Sequence, residues 1–83
     1  MDKNEILEKL NSIFIDFFDD PTIKLSRSTA ADDIEDWDSL AQLGLVLSIE
    51  REFQLRLNAG EVGRLENVGS MVDLIHTKHE QQF

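Results

Sequence analysis

The sequence predicts an all-α fold, a small four-helix bundle with three main helices, one short helix and a long first loop. Apolar residues recur at three- and four-residue spacing in three segments, as in amphipathic helices. The one alternating stretch, FQLRLN at residues 53–58, has no second strand with which to pair. The chain has 83 residues, enough for a single domain with a thin core. We therefore expect one domain over residues 1–83.

The first helix is predicted at residues 3–18. Asp2 and Glu5 stand at the spacing of a capping box, which satisfies free N–H groups at a helix start. Pro21 disfavours helical geometry at Asp20 and ends the segment. Its recurring apolar residues are Ile6, Leu7, Leu10, Ile13, Phe14, Phe17 and Phe18.

A long connection follows, at residues 21–37. Loops of this length in compact domains are uncommon and are usually functional or disordered. Four apolar residues along it can hold it against the core: Ile23, Leu25, Ala30 and Ile34. Its last part is strongly acidic, since five acids stand within seven residues up to the next helix: Asp32, Asp33, Glu35, Asp36 and Asp38.

The second helix is predicted at 38–54, with Asp38 as N-cap and Ser39 as its first residue. Taking Ser39 as zero and about 100° per residue, one apolar stripe spans about 240–340° and a second about 40–100°. The first, which reads as the core face, has Leu45, Val46, Ile49 and Phe53; the second has Leu40, Leu43 and Leu47, with Glu50 beside it. Either the bundle covers both stripes, or the second is exposed for a partner or ligand.

The remaining helices are shorter. Asn58 and Glu61 form another capping-box spacing before a short helix at 59–65, which two glycines weaken. The last helix is predicted at 68–79, and the polar tail beyond it is expected to fray. Its cap is Asn67 or Ser70, and its apolar face has Val68, Val72 and Ile75.

The composition narrows the function classes. The formal charge is −9, from 17 acids and 8 bases, which repels nucleic acids and anionic membranes and attracts basic protein surfaces. The absence of cysteine excludes disulfides, zinc–thiolate sites and a cysteine nucleophile. No signal peptide and no apolar run long enough to span a membrane is visible. We expect a cytoplasmic monomer without a membrane span.

The sequence does not support catalysis by this chain alone. Ser39 has no G-x-S-x-G turn around it, and His76 and His79 stand far along the chain. The acids near Ser39 also oppose a developing oxyanion. A calcium-binding EF-hand loop fails in the registers that start at Asp32 and Asp36. No catalytic residue and no metal ligand is therefore predicted.

The acidic loop that leads to Asp38-Ser39-Leu40 at the start of an apolar-rich second helix resembles the acyl carrier protein family. The resemblance covers about residues 3–79. It includes a second helix that ends in Glu52-Phe53, a short third segment and the sequence ENVGSMVDLI at residues 66–75.

This resemblance implies that Ser39 carries 4′-phosphopantetheine, transferred from coenzyme A by a phosphopantetheinyl transferase with a magnesium ion. The thiol of that arm holds an acyl group as a thioester, and partner enzymes perform the chemistry. The implied partners are the transferase, an acyl- or aminoacyl-loading enzyme and downstream synthase enzymes, all with basic docking surfaces. The residues implied to contact them are Asp38, Leu40, Leu43, Leu47 and Glu50.

The chain departs from the carriers of fatty-acid synthesis, whose second helix bears several acids. Ala41, Gly44 and Arg51 stand at matching positions here. Gly44, costly within a helix, can permit a close backbone approach. Trp37 before Asp38 resembles discrete carriers such as the D-alanyl carrier and those of polyketide and related secondary-metabolite pathways. Trp37 equally suits a purely structural role, holding the loop to the bundle.

We therefore expect a discrete carrier of polyketide or related secondary-metabolite biosynthesis, which is not itself an enzyme. An aminoacyl or peptidyl carrier, of the D-alanyl or nonribosomal peptide type, is the alternative within the family. A small acidic helical interaction module that carries no arm is the alternative outside it. Such a module would bind a partner helix through the same leucines.

Overall fold

A computed structural model of the chain describes residues 2–81 and confirms the predicted all-α architecture. Within these residues there are four α-helices and no strand: α1 (Lys3–Phe18), α2 (Ser39–Phe53), α3 (Ala59–Val62) and α4 (Val68–Gln81). A short 3₁₀ turn, Ala31–Asp33, interrupts the first loop. Residues 1, 82 and 83 of the predicted domain lie outside the described residues.

The capping box of α1 forms as predicted. The Asp2 carboxylate accepts the Glu5 N–H at 2.8 Å, and the Glu5 carboxylate accepts the Asp2 N–H at 3.3 Å. The helix ends at Asp19, which adopts the left-handed conformation with φ 52° and donates its N–H to the carbonyl of Ile15. This left-handed turn ends the helix just before Asp20 and Pro21.

The core lies between α1, α2 and α4. Phe14 of α1 contacts Trp37, just before α2 begins, while Lys9 lies 5.2 Å from the ring centroid of Phe53 at the far end of α2. α1 and α2 are therefore antiparallel, and the end of α1 lies near Ser39. The buried apolar residues are Ile6, Leu10, Ile13, Phe14, Ile23, Leu45, Ile49, Phe53, Leu55, Val68, Met71, Val72 and Ile75.

The first loop (residues 19–38) is held to α1 by one amide side chain. Asn11 accepts the Leu25 N–H at 2.7 Å and donates to the Ile23 carbonyl at 3.3 Å. Ile23 is buried, and Leu25 and Ile34 pack against the core as expected. The loop thus has a defined path despite its length.

A second attachment joins this loop to the start of α4. The N–H groups of Val68 and Gly69 donate to the carbonyls of Thr29 and Arg27, both at 2.8 Å. A Cβ at Gly69 would lie 2.8 Å from the Arg27 carbonyl oxygen, so only glycine permits this approach. The loop carbonyls cap N–H groups that a helix start leaves unsatisfied.

Two predicted helix ends were wrong. The short helix ends at Val62 and not at residue 65, and Gly63 and Arg64 form a turn there. The last helix continues past residue 79 to Gln81. His76 and Glu80 form an i,i+4 pair at 3.4 Å, which supports this extra turn.

The cap of the last helix is Asn67 and not Ser70. The Asn67 side-chain oxygen accepts the Ser70 N–H at 2.9 Å and the Ser70 hydroxyl at 3.1 Å. Ser70 is therefore a donor within the first turn, and Asn67 satisfies it.

Ion pairs at the surface connect distant parts of the chain. Asp73 of α4 accepts from Lys3 and from Arg27, each at 3.0 Å. These contacts, with Lys3 the larger cause, lower the pKa of Asp73. Glu61 pairs with Lys78 at 2.8 Å, and the Lys78 ammonium lowers the pKa of Glu61.

Candidate functional site

Ser39 lies at the exposed start of α2. Asp38 is the N-cap, and its carboxylate accepts the Ala41 N–H at 2.8 Å while its carbonyl accepts the Gln42 N–H at 2.9 Å. Within residues 2–81 the N–H groups of Ser39 and Leu40 have no partner. The Ser39 hydroxyl therefore stands beside free donors at the positive end of the helix dipole.

A groove of about 420 Å³ opens beside Ser39. One wall is the start of α2, and the other is formed by the segment between α3 and α4. Its lining mixes apolar and polar side chains: Ala31, Trp37, Asp38, Ser39, Gln42, Leu43, Val62, Leu65, Glu66, Asn67 and Met71. A narrow, amphipathic chain fits such a surface better than a compact polar substrate does.

Trp37 connects this groove to the core. Its indole is half-buried and meets the Phe14 ring edge-on, with centroids 5.0 Å apart and planes at 83°. Its Nε1–H donates to the Gln42 side-chain oxygen at 2.6 Å. The structural role considered for Trp37 is confirmed, and the same side chain also lines the groove.

The two apolar stripes of α2 have opposite environments. Leu45 and Ile49 are fully buried, while Leu40, Leu43 and Leu47 are 78%, 65% and 63% exposed. The bundle therefore does not cover the second stripe, here called the leucine stripe. Of its three members only Leu43 lines the groove.

Glu50 has a contact within the chain. Its side chain is half-buried, and its carboxylate accepts the Leu57 N–H at 3.0 Å. This bond fixes the connection between α2 and α3. The role of Glu50 in partner binding stays a prediction, now beside a structural role that the sequence pattern does not reveal.

The acids before α2 are exposed. Among the described residues no salt bridge involves Asp32, Asp33, Glu35 or Asp36. Asp33 nevertheless has a structural contact, because its carboxylate accepts the Ala30 N–H at 2.8 Å. Asp32, Glu35 and Asp36 are exposed to solvent on the loop that leads to Ser39.

Among the residues that the structure describes, no histidine lies beside Ser39. The groove lining includes no histidine, and His76 pairs with Glu80 on α4. Within the described part of the chain, no cluster of three His, Asp or Glu side chains could hold a metal ion. The Ser39 hydroxyl is exposed and therefore accessible to an incoming enzyme.

Sequence reasoning missed one wall of the groove. Val62, Leu65, Glu66, Asn67 and Met71 join Ser39 only through the packing of α3 and α4 against α2. Their distance from Ser39 along the chain does not predict this proximity, because only the folded structure brings them together.

Comparison with known proteins identifies relatives over nearly the whole chain. No family model matches. An acyl carrier protein from Thermosynechococcus vestitus is 32% identical over 79 residues, which are 94% of this chain and 96% of that protein. The solution NMR structure of a holo acyl carrier protein from Geobacter metallireducens is 39% identical, with a TM-score of 0.87 over 92% of this chain and 87% of that one. Within residues 2–81, no helix is both long and apolar enough to cross a membrane. The fold, the site at the start of α2 and these relatives together place the chain in the acyl carrier protein family.

Proposed function

We propose that this chain is a carrier protein and that Ser39 is the attachment point of 4′-phosphopantetheine. The observation that carries the proposal is the exposed Ser39 hydroxyl at the start of α2, beside an amphipathic groove with no histidine among its lining residues. A hydroxyl in this setting is suited to modification by another enzyme. When attached, the arm supplies a thiol that holds an acyl group as a thioester.

The residues around Ser39 fit such an arm. The free N–H groups of Ser39 and Leu40 suit the phosphate, because a helix start favours negative charge. Polar side chains of the groove such as Gln42 and Asn67 can bind the amide groups of the arm. Apolar ones such as Leu43 can contact the end of the arm. The carboxylate of Asp38 opposes the phosphate, but it is engaged with the Ala41 N–H.

The chain's own residues position and present the serine. Asp38 fixes the start of α2, so that Ser39 is held on a rigid helix. Trp37 holds the end of the first loop against Phe14 and orients Gln42. The transferase must supply the base that takes the hydroxyl proton, since the groove lining supplies no histidine.

The partners we propose are the transferase, a loading enzyme and downstream synthase enzymes. The leucine stripe and Asp38 form the core of the surface that they bind, with Glu50 at its edge. Exposed acids next to Ser39 favour enzymes with basic surfaces and accelerate their encounter with the carrier.

We further propose a discrete carrier of polyketide or related secondary-metabolite biosynthesis. Two features support this: Trp37 directly before Asp38, and an α2 helix with Ala41, Gly44 and Arg51 where carriers of fatty-acid synthesis bear acids. An aminoacyl or peptidyl carrier shares both features. Loading with acyl and aminoacyl substrates by candidate enzymes would separate these two.

The test is the intact mass after incubation with coenzyme A, magnesium and a promiscuous phosphopantetheinyl transferase. We expect the mass of one phosphopantetheine to be added to the wild-type chain and none to Ser39→Ala. Because Asp38 is the cap, Ser39→Ala should retain the circular dichroism spectrum of the wild type. No addition would favour the interaction module, whereas addition mapped to Ser26, Ser28 or Ser48 would overturn the assignment of Ser39 alone.

A further inference from the structure

We propose that Phe17 of α1 extends the docking surface of the leucine stripe, and that the transferase which modifies Ser39 contacts it. This inference rests on the proposed carrier function. Phe17 is 38% exposed, although its spacing in α1 matches that of core residues. Its ring lies on Gly44 of α2, and an aromatic ring at that place can form one apolar surface with the exposed leucines of α2.

Gly44 is the residue that joins the two parts. A Cβ at Gly44 would lie 2.6 Å from both Cε1 and Cζ of Phe17, so the ring lies directly on the glycine backbone. On α2, Gly44 is the i+4 neighbour of Leu40 and the i−3 neighbour of Leu47. The absence of a side chain at Gly44 thus lets the Phe17 ring lie next to the leucine stripe.

A second groove continues this surface on the flank of α2 away from Ser39. It has a volume of about 310 Å³ and lies between α1 and α2. Its apolar lining residues are Ile13 and Phe17, and its polar ones are Lys9, Ser12, Asp16, Ser48 and Glu52. The one base among them, Lys9, lies over the Phe53 ring, and the two acids outnumber it. An apolar side chain of a partner can enter beside Phe17, while basic groups next to it meet Asp16 and Glu52.

Charge indicates what kind of partner covers this surface. Asp16, Asp19 and Asp20 stand at the end of α1, with no base in its last turn. Acids at a helix C-terminus oppose the helix dipole, so they do not stabilise the free helix. A second copy of this chain, with its own formal charge of −9, would be repelled. A protein with apolar side chains flanked by lysine or arginine is complementary.

One protein interface of ordinary size can cover both Ser39 and Phe17. Gly44 lies about 7.5 Å along the helix axis from Ser39. A standard interface covers roughly 800 Å² of each protein, a patch about 30 Å across. The described part of the carrier measures 36 × 24 × 21 Å, so an enzyme seated over Ser39 has room to reach the end of α1.

The experiment measures loading by the transferase as a function of carrier concentration. Phe17→Ala should raise KM about tenfold, as expected for an aromatic anchor, and leave kcat within about twofold. Phe17→Leu keeps a large apolar side chain and should bind the transferase with a KM much closer to that of the wild type than Phe17→Ala does. Gly44→Ala, which must displace the ring, should raise KM as well. Leu74→Ala, a half-buried leucine of α4 that lines neither groove, is the matched control and should leave KM unchanged.

Circular dichroism melting separates loss of fold from loss of docking. A KM for folded Phe17→Ala within about twofold of wild type would overturn the inference, as would an equal rise in Leu74→Ala. If the wild type is not loaded at all, the proposed carrier function fails instead. If it is loaded at Ser39 and Phe17 has no effect, only the extended surface is wrong.

Discussion

The two faces of α2 contain the same type of residue in opposite environments. Leu45 is fully buried, while Leu43, two residues earlier, is 65% exposed. Their hydrophobicity is equal, so composition alone does not decide which one the core takes. The difference arises because the core shared with α1 and α4 lies against one side of the helix, whereas the leucine stripe faces solvent. The buried residues of one face stabilise the domain, and the exposed leucines of the other face are available for binding.

The strongest test of this comparison places a charge on each face. Leu45→Asp should unfold the domain, because an unpaired buried charge costs several kcal/mol and the whole domain has roughly 5–15 kcal/mol of stability. Leu43→Asp should keep the fold, with a melting temperature within a few degrees of wild type. Circular dichroism on both variants is the measurement. Equal unfolding would show that the leucine stripe belongs to the core.

Both faces of α2 begin at the N-cap residue, Asp38. Asp38→Ala should destabilise the domain by about 0.5–2 kcal/mol, since it removes the acceptor of the Ala41 N–H. Denaturant unfolding checks this at low and high salt. The matched control is Glu35→Gln, an exposed acid of the same loop without an ion pair in the described residues, which should be neutral or stabilising. A neutral Asp38→Ala would show that the cap contributes nothing to α2.

Glu50 stands at the edge of the leucine stripe, yet its carboxylate accepts a backbone N–H. Glu50→Ala should cost about 1–2 kcal/mol, since the Leu57 N–H loses its acceptor in a partly buried place. Leu47→Ala, on the exposed stripe, should cost less than about 0.5 kcal/mol. The reverse order in urea unfolding would place Glu50 among the binding residues and Leu47 in the core.

The smallest expected effect is a change in the stability of the domain at low pH. Among the described residues none of the buried ones is polar or charged, so acid sensitivity lies in surface pairs. Lys3 and then Arg27 lower the pKa of Asp73 below its ordinary value of 3.8. Its pairing therefore stabilises the domain above the unfolded pKa, and this contribution is lost as the pH falls through the lower folded value.

Asp73→Asn should accordingly lower the melting temperature slightly at neutral pH. The gap to wild type should stay constant above about pH 5 and close as the pH falls below 3.8. Melting curves at neutral pH and near pH 3 measure it. A gap that grows on acidification would contradict the sign of the Asp73 pKa shift.

The sequence predicts the helices and both stripes of α2, because their periodicity and caps are local. It does not predict that Phe17 leaves the core, since its spacing is that of a buried residue and only the contact with Gly44 explains its place. The contacts of Glu50 with Leu57 and of Asp33 with Ala30 are equally absent from any pattern of charge. An acid that reads as exposed charge can therefore hold a backbone group. Because the Asp33 carboxylate accepts the Ala30 N–H, Asp33→Ala should be mildly destabilising.

The role of the leucine stripe in partner binding is tested most directly with Leu47→Asp. Its loading at Ser39 by the transferase is followed by intact mass, and its melting curve is measured beside that of the wild type. We expect kcat/KM to fall about tenfold or more while the melting temperature changes by only a few degrees, because the leucine stripe binds partners and does not support the core. An unchanged kcat/KM in the folded variant would contradict it and leave these exposed leucines without a role in docking.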